Sequence, residues 1–172
     1  MASVEIKIHE LRIDEQSQAP LLVLKELDGE RTLTMALAPL EALSIIVLLE
    51  RMELRRPTTH DLLQHVIDSL NARLLRVEIN DFREDTFVSA LNVEQGSKLF
   101  VIDARPSDAI ALAVRCGAPI LVRESILKYA NGDIESPSGN TMLRPSGQDG
   151  QRDDLRVWLE NLPDEQFGKY KM

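Results

Sequence analysis

The sequence predicts an α+β fold: mixed sheets from a duplicated β-β-β-α unit, with helices packed on the sheet and a short C-terminal helix. Three observations carry this reading. Apolar and polar residues alternate in several short runs, as half-buried strands require. Longer apolar runs open with proline or a capping residue, as helices do. The order of strands and helix then recurs at one constant offset.

In the first strand Val4, Ile6 and Ile8 alternate with Glu5, Lys7 and His9. Residues 21–25 form the second strand, Asp28-Gly29 the turn, and residues 31–37 the third strand. Pro39 opens a helix expected to run to about Met52, before Arg55-Arg56-Pro57 breaks it. Thr58 and Asp61 stand at capping-box spacing and start the next helix, which runs to Leu70. Leu62, Leu63, Val66, Ile67 and Leu70 make its expected buried face, with His60 at the rim and His65 on the solvated side. Strands follow at 74–79, 86–93 and 98–104, then a helix at 106–116, a strand at 119–122 and a short helix at 124–130.

The repeat is sharpest where Pro39-Leu-Glu41-Ala42 matches Pro106-Ser-Asp108-Ala109, an offset of 67 residues. Arg31 and Lys98, which begin the strands before these helices, stand at the same offset. A duplication puts Glu41 and Asp108 in equivalent places, each in the first turn of a helix.

Residues 1–130 therefore read as the body. Residues 131–153 form a flexible polar connector containing Asn131-Gly132, Ser136-Pro137-Ser138-Gly139-Asn140 and Pro145-Ser146-Gly147. In 154–172, Leu155, Trp158, Leu159 and Leu162 recur at helical spacing. They predict a short amphipathic helix that docks on the body or on a partner chain.

Composition narrows the function classes. The hydrophobic fraction of 44% supports a core, and the net charge of -8 repels polyanions at long range. Stable nonspecific nucleic-acid binders carry the opposite balance. A transient nucleic-acid substrate, met through a local basic patch or a metal ion, fits better. The single cysteine, Cys116, allows no intramolecular disulfide and reads as a small buried hydrophobe. The first residues lack a basic-then-apolar layout, and no apolar run approaches bilayer length. The expectation is a cytoplasmic protein without membrane contact.

Two segments concentrate chemistry. At Asp103, Arg105, Ser107 and Asp108 a strand turns into a nearly all-apolar helix. A helix start offers free N–H groups and positive potential to an anion such as phosphate. Ser107 can cap and Asp108 suits the first turn. Arg115 lies seven residues on, on the same side and roughly 10 Å along the axis. The bland reading makes Asp108 and Arg115 simple complements of the helix dipole. The second segment is Arg56-Pro57-Thr58-Thr59-His60-Asp61, in which His60 at the core rim is the better ligand or proton carrier and Asp61 a cap. Arg51, Arg55, Arg56, Arg73 and Arg76 add local positive charge where a phosphate backbone can rest. No HExxH, Walker loop or GxGxxG is present.

At these segments the sequence resembles the bifunctional nuclease family, found in bacteria, archaea and plants. RPTTHDLL (56–63) and VIDARPSDAIALAVRCGAPILV (101–122) carry the resemblance, which covers about residues 4–130. It implies a mixed α/β fold with a duplicated unit and nuclease activity on RNA and DNA. Carried to this chain, it marks His60, Asp61, Asp103, Arg105, Ser107 and Asp108. Members commonly show Ile-Gly before the Glu-Ala of the first helix; here Pro39-Leu precedes Glu41-Ala42, which leaves Glu41 an outlier.

The nuclease reading gives His60, Asp61, Asp103 and Asp108 catalytic places and Arg56, Arg105, Ser107 and Arg115 phosphate contacts. Asp103 and Asp108, with Glu41 the outlying third, would hold Mg2+ or Mn2+. The competing reading is a non-enzymatic regulatory module that binds an anionic ligand or a protein. Exposed strand edges and the Trp158 segment make a homodimer an expected state.

Overall fold

Each repeat folds into a three-stranded meander because its apolar strands need burial and its turns are short, with each middle strand buried along a continuous run. The structure, a computed structural model, describes residues 2–14, 16–52, 54–84, 86–130, 157 and 161. In chain order the elements are β1 (Ser3–Ile13), β2 (Pro20–Glu26), β3 (Thr32–Ala36), α1 (Pro39–Leu49) and α2 (Thr59–Ser69). Then come β4 (Ala72–Arg83), β5 (Thr86–Gln95), β6 (Lys98–Ala104), α3 (Pro106–Cys116), β7 (Ile120–Arg123) and α4 (Glu124–Ala130).

All seven strands join one mixed sheet in the order β3-β2-β1-β7-β4-β5-β6. The meanders β1-β2-β3 and β4-β5-β6 lie on either side of β7, which runs antiparallel to β1 and parallel to β4. Ile120 pairs with Ile6 on one side and Val77 on the other, and all three are buried. The two repeats are thus stitched through one short apolar strand.

β1 and β4 run further than simple alternation indicates. Their registers shift between Ile8 and Glu10 in β1, and between Leu74 and Arg76 and between Ile79 and Asp81 in β4. A bulge inserts one residue and flips the faces that follow, so a strand can continue while its period-two pattern breaks.

α3 is the central helix. Ala109, Ile110, Ala111, Leu112 and Ala113 are almost wholly buried, because the helix packs on β4 and β5 on one side and meets α1 and α2 on the other. Three alanines in this run let the neighbouring elements approach closely.

Helix ends follow a common device. Arg51, Asn71 and Gly117, which follow α1, α2 and α3, all adopt the left-handed region, with φ of 51°, 52° and 63°. α1 therefore stops at Leu49 rather than reaching Met52. Glycine is the residue that suits such a position, asparagine tolerates it, and arginine is an unusual occupant.

The apolar stripe of α2 is not buried as its wheel predicts. Ile67 is buried, but Leu62, Val66 and Leu70 are 59%, 44% and 57% exposed. α2 rests on α3 and β4, and Leu99 to Ile102 of the edge strand β6 are exposed as well. Periodicity identified an apolar face, but a cavity lies between that face and the strands β5 and β6. His65 is exposed, as expected, and Cys116 is half-buried, its thiol pushed up chiefly by burial and further by Asp68.

The flexible connector expected at 131–153 lies outside the described residues. So does the 154–172 helix and tail, apart from Val157 and Asn161. The Asn161 N–H donates to the Val157 carbonyl at 3.1 Å, a helical spacing. No helix among the described residues is long and apolar enough to cross a membrane.

Truncation inside α3 should be costly, since little can collapse into the space. Leu112→Ala is expected to lower stability by about 2–5 kcal/mol, read from the urea midpoint at unchanged m-value.

Candidate active site

Three helices begin with a carboxylate at their third residue: Glu41 in α1, Asp61 in α2 and Asp108 in α3. An acid there can turn back to accept the N–H of its own cap residue. Glu41 does so, its Oε2 accepting the Ala38 N–H at 2.9 Å. Asp61 does so too, its Oδ2 accepting the Thr58 N–H and hydroxyl, both at 2.7 Å.

Asp108 behaves differently. Its Oδ1 lies 3.1 Å from His60 Nε2, and its Oδ2 accepts Arg105 Nε at 2.7 Å. Both partners are side chains. One comes from α2, 48 positions away in sequence, and the other from the residue before α3. Arg105 also reaches Glu41, with Nη1 3.1 Å from Oε1. One guanidinium thus ties together the equivalent acids of the two repeats, and Glu41, the sequence outlier, belongs to the cluster.

Electrostatics follow from these contacts. Burial alone would push the Asp108 carboxyl up, but the hydrogen bonds and charges of Arg105 and His60 outweigh it and hold it below the usual carboxylate range. An ionised carboxylate only accepts, so His60 faces it with an Nε2–H donor. Arg105 is held even more firmly in its charged form, first by its hydrogen bond to Asp108.

The corner is open to water. The Arg105 side chain is 68% exposed and that of Asp108 37%, whereas that of His60 is 12% exposed. Asp103, Arg105 and Asp108 line one end of a cavity of ≈ 670 Å³. Leu63, Ile67, Phe100 and Ile102 form its apolar wall.

Arg115 has a different setting from the one expected. Its side chain is 2% exposed and four of its five N–H donors are taken. Nε donates to Asp61 Oδ1 at 2.6 Å, Nη1 to the Ala111 carbonyl, and Nη2 to the Ser44 carbonyl and, at 3.4 Å, to Thr58 Oγ1. It clamps α1, α2 and α3 together, and its enclosure makes it a structural group rather than an open phosphate contact. Burial raises the Asp61 carboxyl, but Arg115 and Thr58 overcome this and bring it down to about 2. Asp61 is therefore both cap and clamp partner. Ser107 is 4% exposed at the second residue of α3, and Arg105 occupies the cap position Ser107 was expected to take. Arg56 is exposed and lines a separate cavity on the other side of α2.

Sequence reading missed the Ser44 carbonyl, the Thr58 hydroxyl as a clamp partner, and Gln64, whose Nε2 donates to the Arg115 carbonyl at 3.3 Å. Backbone acceptors leave no sequence signal.

A duplicated α+β domain with one mixed sheet and an open acid–histidine–guanidinium corner defines the class. Comparison with known proteins gives the family. The model of the bifunctional nuclease domain matches residues 22–135, and the chain belongs to that family. It is 36% identical over 126 residues to an uncharacterized protein of Mycobacterium tuberculosis, a match spanning 73% of this chain and 75% of the relative. It is 32% identical over 125 residues to bifunctional nuclease 2 of Oryza sativa subsp. japonica, spanning 70% of this chain and 38% of the plant protein. It is 29% identical over 136 residues to bifunctional nuclease 1 of Arabidopsis thaliana, spanning 76% and 41%.

Two outcomes test the clamp. Arg115→Ala is expected to destabilise the fold by about 3–5 kcal/mol, because it leaves a partly buried carboxylate unpaired, and Arg115→Lys should restore only part, read by thermal melting. The Asp61 carboxyl titrates below its ordinary value, so its stabilisation is fully present above 3.8 and is lost as pH falls toward about 2. Asp61→Asn should flatten stability over that window, measured by acid titration of the circular dichroism signal.

Proposed function

We propose that the chain is a nuclease that hydrolyses phosphodiester bonds in RNA and DNA at the His60–Asp108–Arg105 corner. One observation carries the reading. Asp108 is the one acid of the three equivalent positions that does not cap its own helix, and it holds a histidine and an exposed guanidinium at a cavity mouth. Family membership supports the same chemistry.

In this proposal a phosphodiester rests its non-bridging oxygens against Arg105, with its base along the apolar wall near Phe100. Water attacks phosphorus while His60 Nδ1 takes its proton, and Asp108 stabilises the imidazolium that forms. The bond to the leaving oxygen breaks, and that oxygen takes a proton from solvent. Arg105 faces the charge that grows on the phosphoryl oxygens. Arg115 and Asp61 hold the corner in place without touching substrate.

Asp103 and Asp108 line one cavity and offer the hard oxygen donors that Mg2+ or Mn2+ takes. Among the described residues no group of three or more His, Cys, Asp or Glu could hold a metal. The donor set fits an ion held by one or two carboxylates and completed by water and substrate phosphate. Such an ion would supply charge for the phosphoryl oxygens; no step above is routed through it.

A second reading rests on the apolar face shared by α2 and β6. It makes the chain a non-enzymatic module that associates as a homodimer, with no turnover, and Phe100→Asp should convert the dimer to monomer by light scattering.

The nuclease reading is tested on labelled RNA and single-stranded DNA. Asp108→Asn and His60→Gln should each lower the rate by about 10²–10⁴, and Arg105→Ala by about 10²–10³, with melting temperatures retained. Chelation should abolish cleavage and Mg2+ or Mn2+ restore it if the ion takes part. Full activity in Asp108→Asn removes the corner from the mechanism.

A further inference from the structure

A second cavity lies on the other side of α2 from the corner. It measures ≈ 530 Å³, and Arg51, Arg55 and Arg56 line it together with Asp61, His65 and Arg115. Its apolar floor comes from Val47, Leu48, Met52 and Leu54, of which Met52 and Leu54 are 45% and 50% exposed.

The pairing of its arginines differs from that of most arginines in the body, Arg123 of β7 being the other described arginine without an ion pair. Arg12, Arg31, Arg73, Arg76, Arg83, Arg105 and Arg115 each face a carboxylate. Arg73 and Arg76 are thereby removed from the basic cluster the sequence displayed. Arg51, Arg55 and Arg56 are exposed and have no ion pair among the described residues. Three unneutralised guanidiniums around one cavity, on a chain with a net charge of -8, concentrate positive potential where the rest of the surface repels anions.

The helix dipole does not account for them. The C-terminus of α1 attracts cations within its last turn, which Arg51 alone would satisfy. Arg55 and Arg56 lie in the bend beyond it. Arg51 also holds a left-handed backbone at φ 51°, where glycine sits without strain.

We infer that this cavity is a polynucleotide-binding subsite, in which Arg51, Arg55 and Arg56 hold the phosphates of a single strand and the apolar floor receives its bases. The occupant's identity rests on the nuclease reading. The placement adds to it: a strand cleaved at Arg105 would cross the start of α2 and continue onto these arginines. Guanidinium groups match phosphate oxygens, and an apolar floor gives sequence-tolerant contact to bases.

The test is fluorescence anisotropy of a labelled single-stranded oligothymidylate with the full chain, in EDTA. The triple variant R51A/R55A/R56A should bind at least tenfold more weakly, with the slope of log affinity against log salt flattened by about 2. R51K/R55K/R56K should stay within a few-fold of wild type, and matched melting temperatures exclude misfolding. Unchanged affinity in the alanine variant overturns the subsite. Inorganic polyphosphate that competes as well as oligothymidylate, phosphate for phosphate, overturns its assignment to a polynucleotide. Asp108→Asn separates the two claims: it should keep oligonucleotide affinity while losing cleavage. Groove-dependent binding without turnover in wild type would sink the nuclease and leave the subsite standing. Turnover with groove-independent binding would do the reverse.

Discussion

The buried guanidinium of Arg115 is the constraint on which the site geometry depends. It lies near the end of α3, the most enclosed helix, and donates to a side chain of α2 and to backbone carbonyls of α1 and of α3 itself. A desolvated charge is costly unless its donors are met. Here they are met only when the three helices take one relative position. That same position brings Glu41, His60 and Asp108 around Arg105. Lysine could substitute only in part, since a compact ammonium lacks the planar fork that reaches acceptors on three helices.

Duplication explains both the likeness and the asymmetry of the two halves. Glu41 and Asp108 begin equivalent helices and meet the same arginine. Glu41 caps its own helix, whereas Asp108 contacts His60 and Arg105 instead. An acid that gives up its own cap leaves an N–H group to be met otherwise, so its side chain is placed for something beyond helix stability. The asymmetry distinguishes the second repeat's corner from the first without appeal to kinship.

Much of this architecture was legible in the sequence, and the failures have physical causes. The sequence placed every strand, yet the first and fourth were stopped at Ile8 and Ile79, where bulges reverse the inside–outside pattern. The end of α1 was missed because an arginine takes the left-handed position that a glycine would have announced. The repeat offset placed Glu41 beside Asp108 in kind, but it could not show that Arg105 would join them. The Asp108–Arg115 spacing marked two residues on one side of α3. The fold then gave them opposite fates, one exposed at a cavity and one enclosed. Distance along a helix reports direction; only the packing of α1 and α2 over that side decides which residue keeps contact with water.

The α2 stripe carries the same lesson further. A helical wheel identifies an apolar face but not how much sheet lies beneath it. Ile67 meets the body, while Leu62, Val66 and Leu70 stay exposed, as do Leu99 to Ile102 of the edge strand β6. An edge strand with apolar side chains and unpaired backbone groups is prone to association. Yet the residues nearest the charged corner, Leu63, Ile67, Phe100 and Ile102, form a cavity wall that ends at Asp103, Arg105 and Asp108. An apolar wall running into a charged corner is a better match to a nucleotide, with its flat base and anionic phosphate, than to a purely apolar partner. Incomplete burial of α2 thus leaves an open apolar wall beside Arg105.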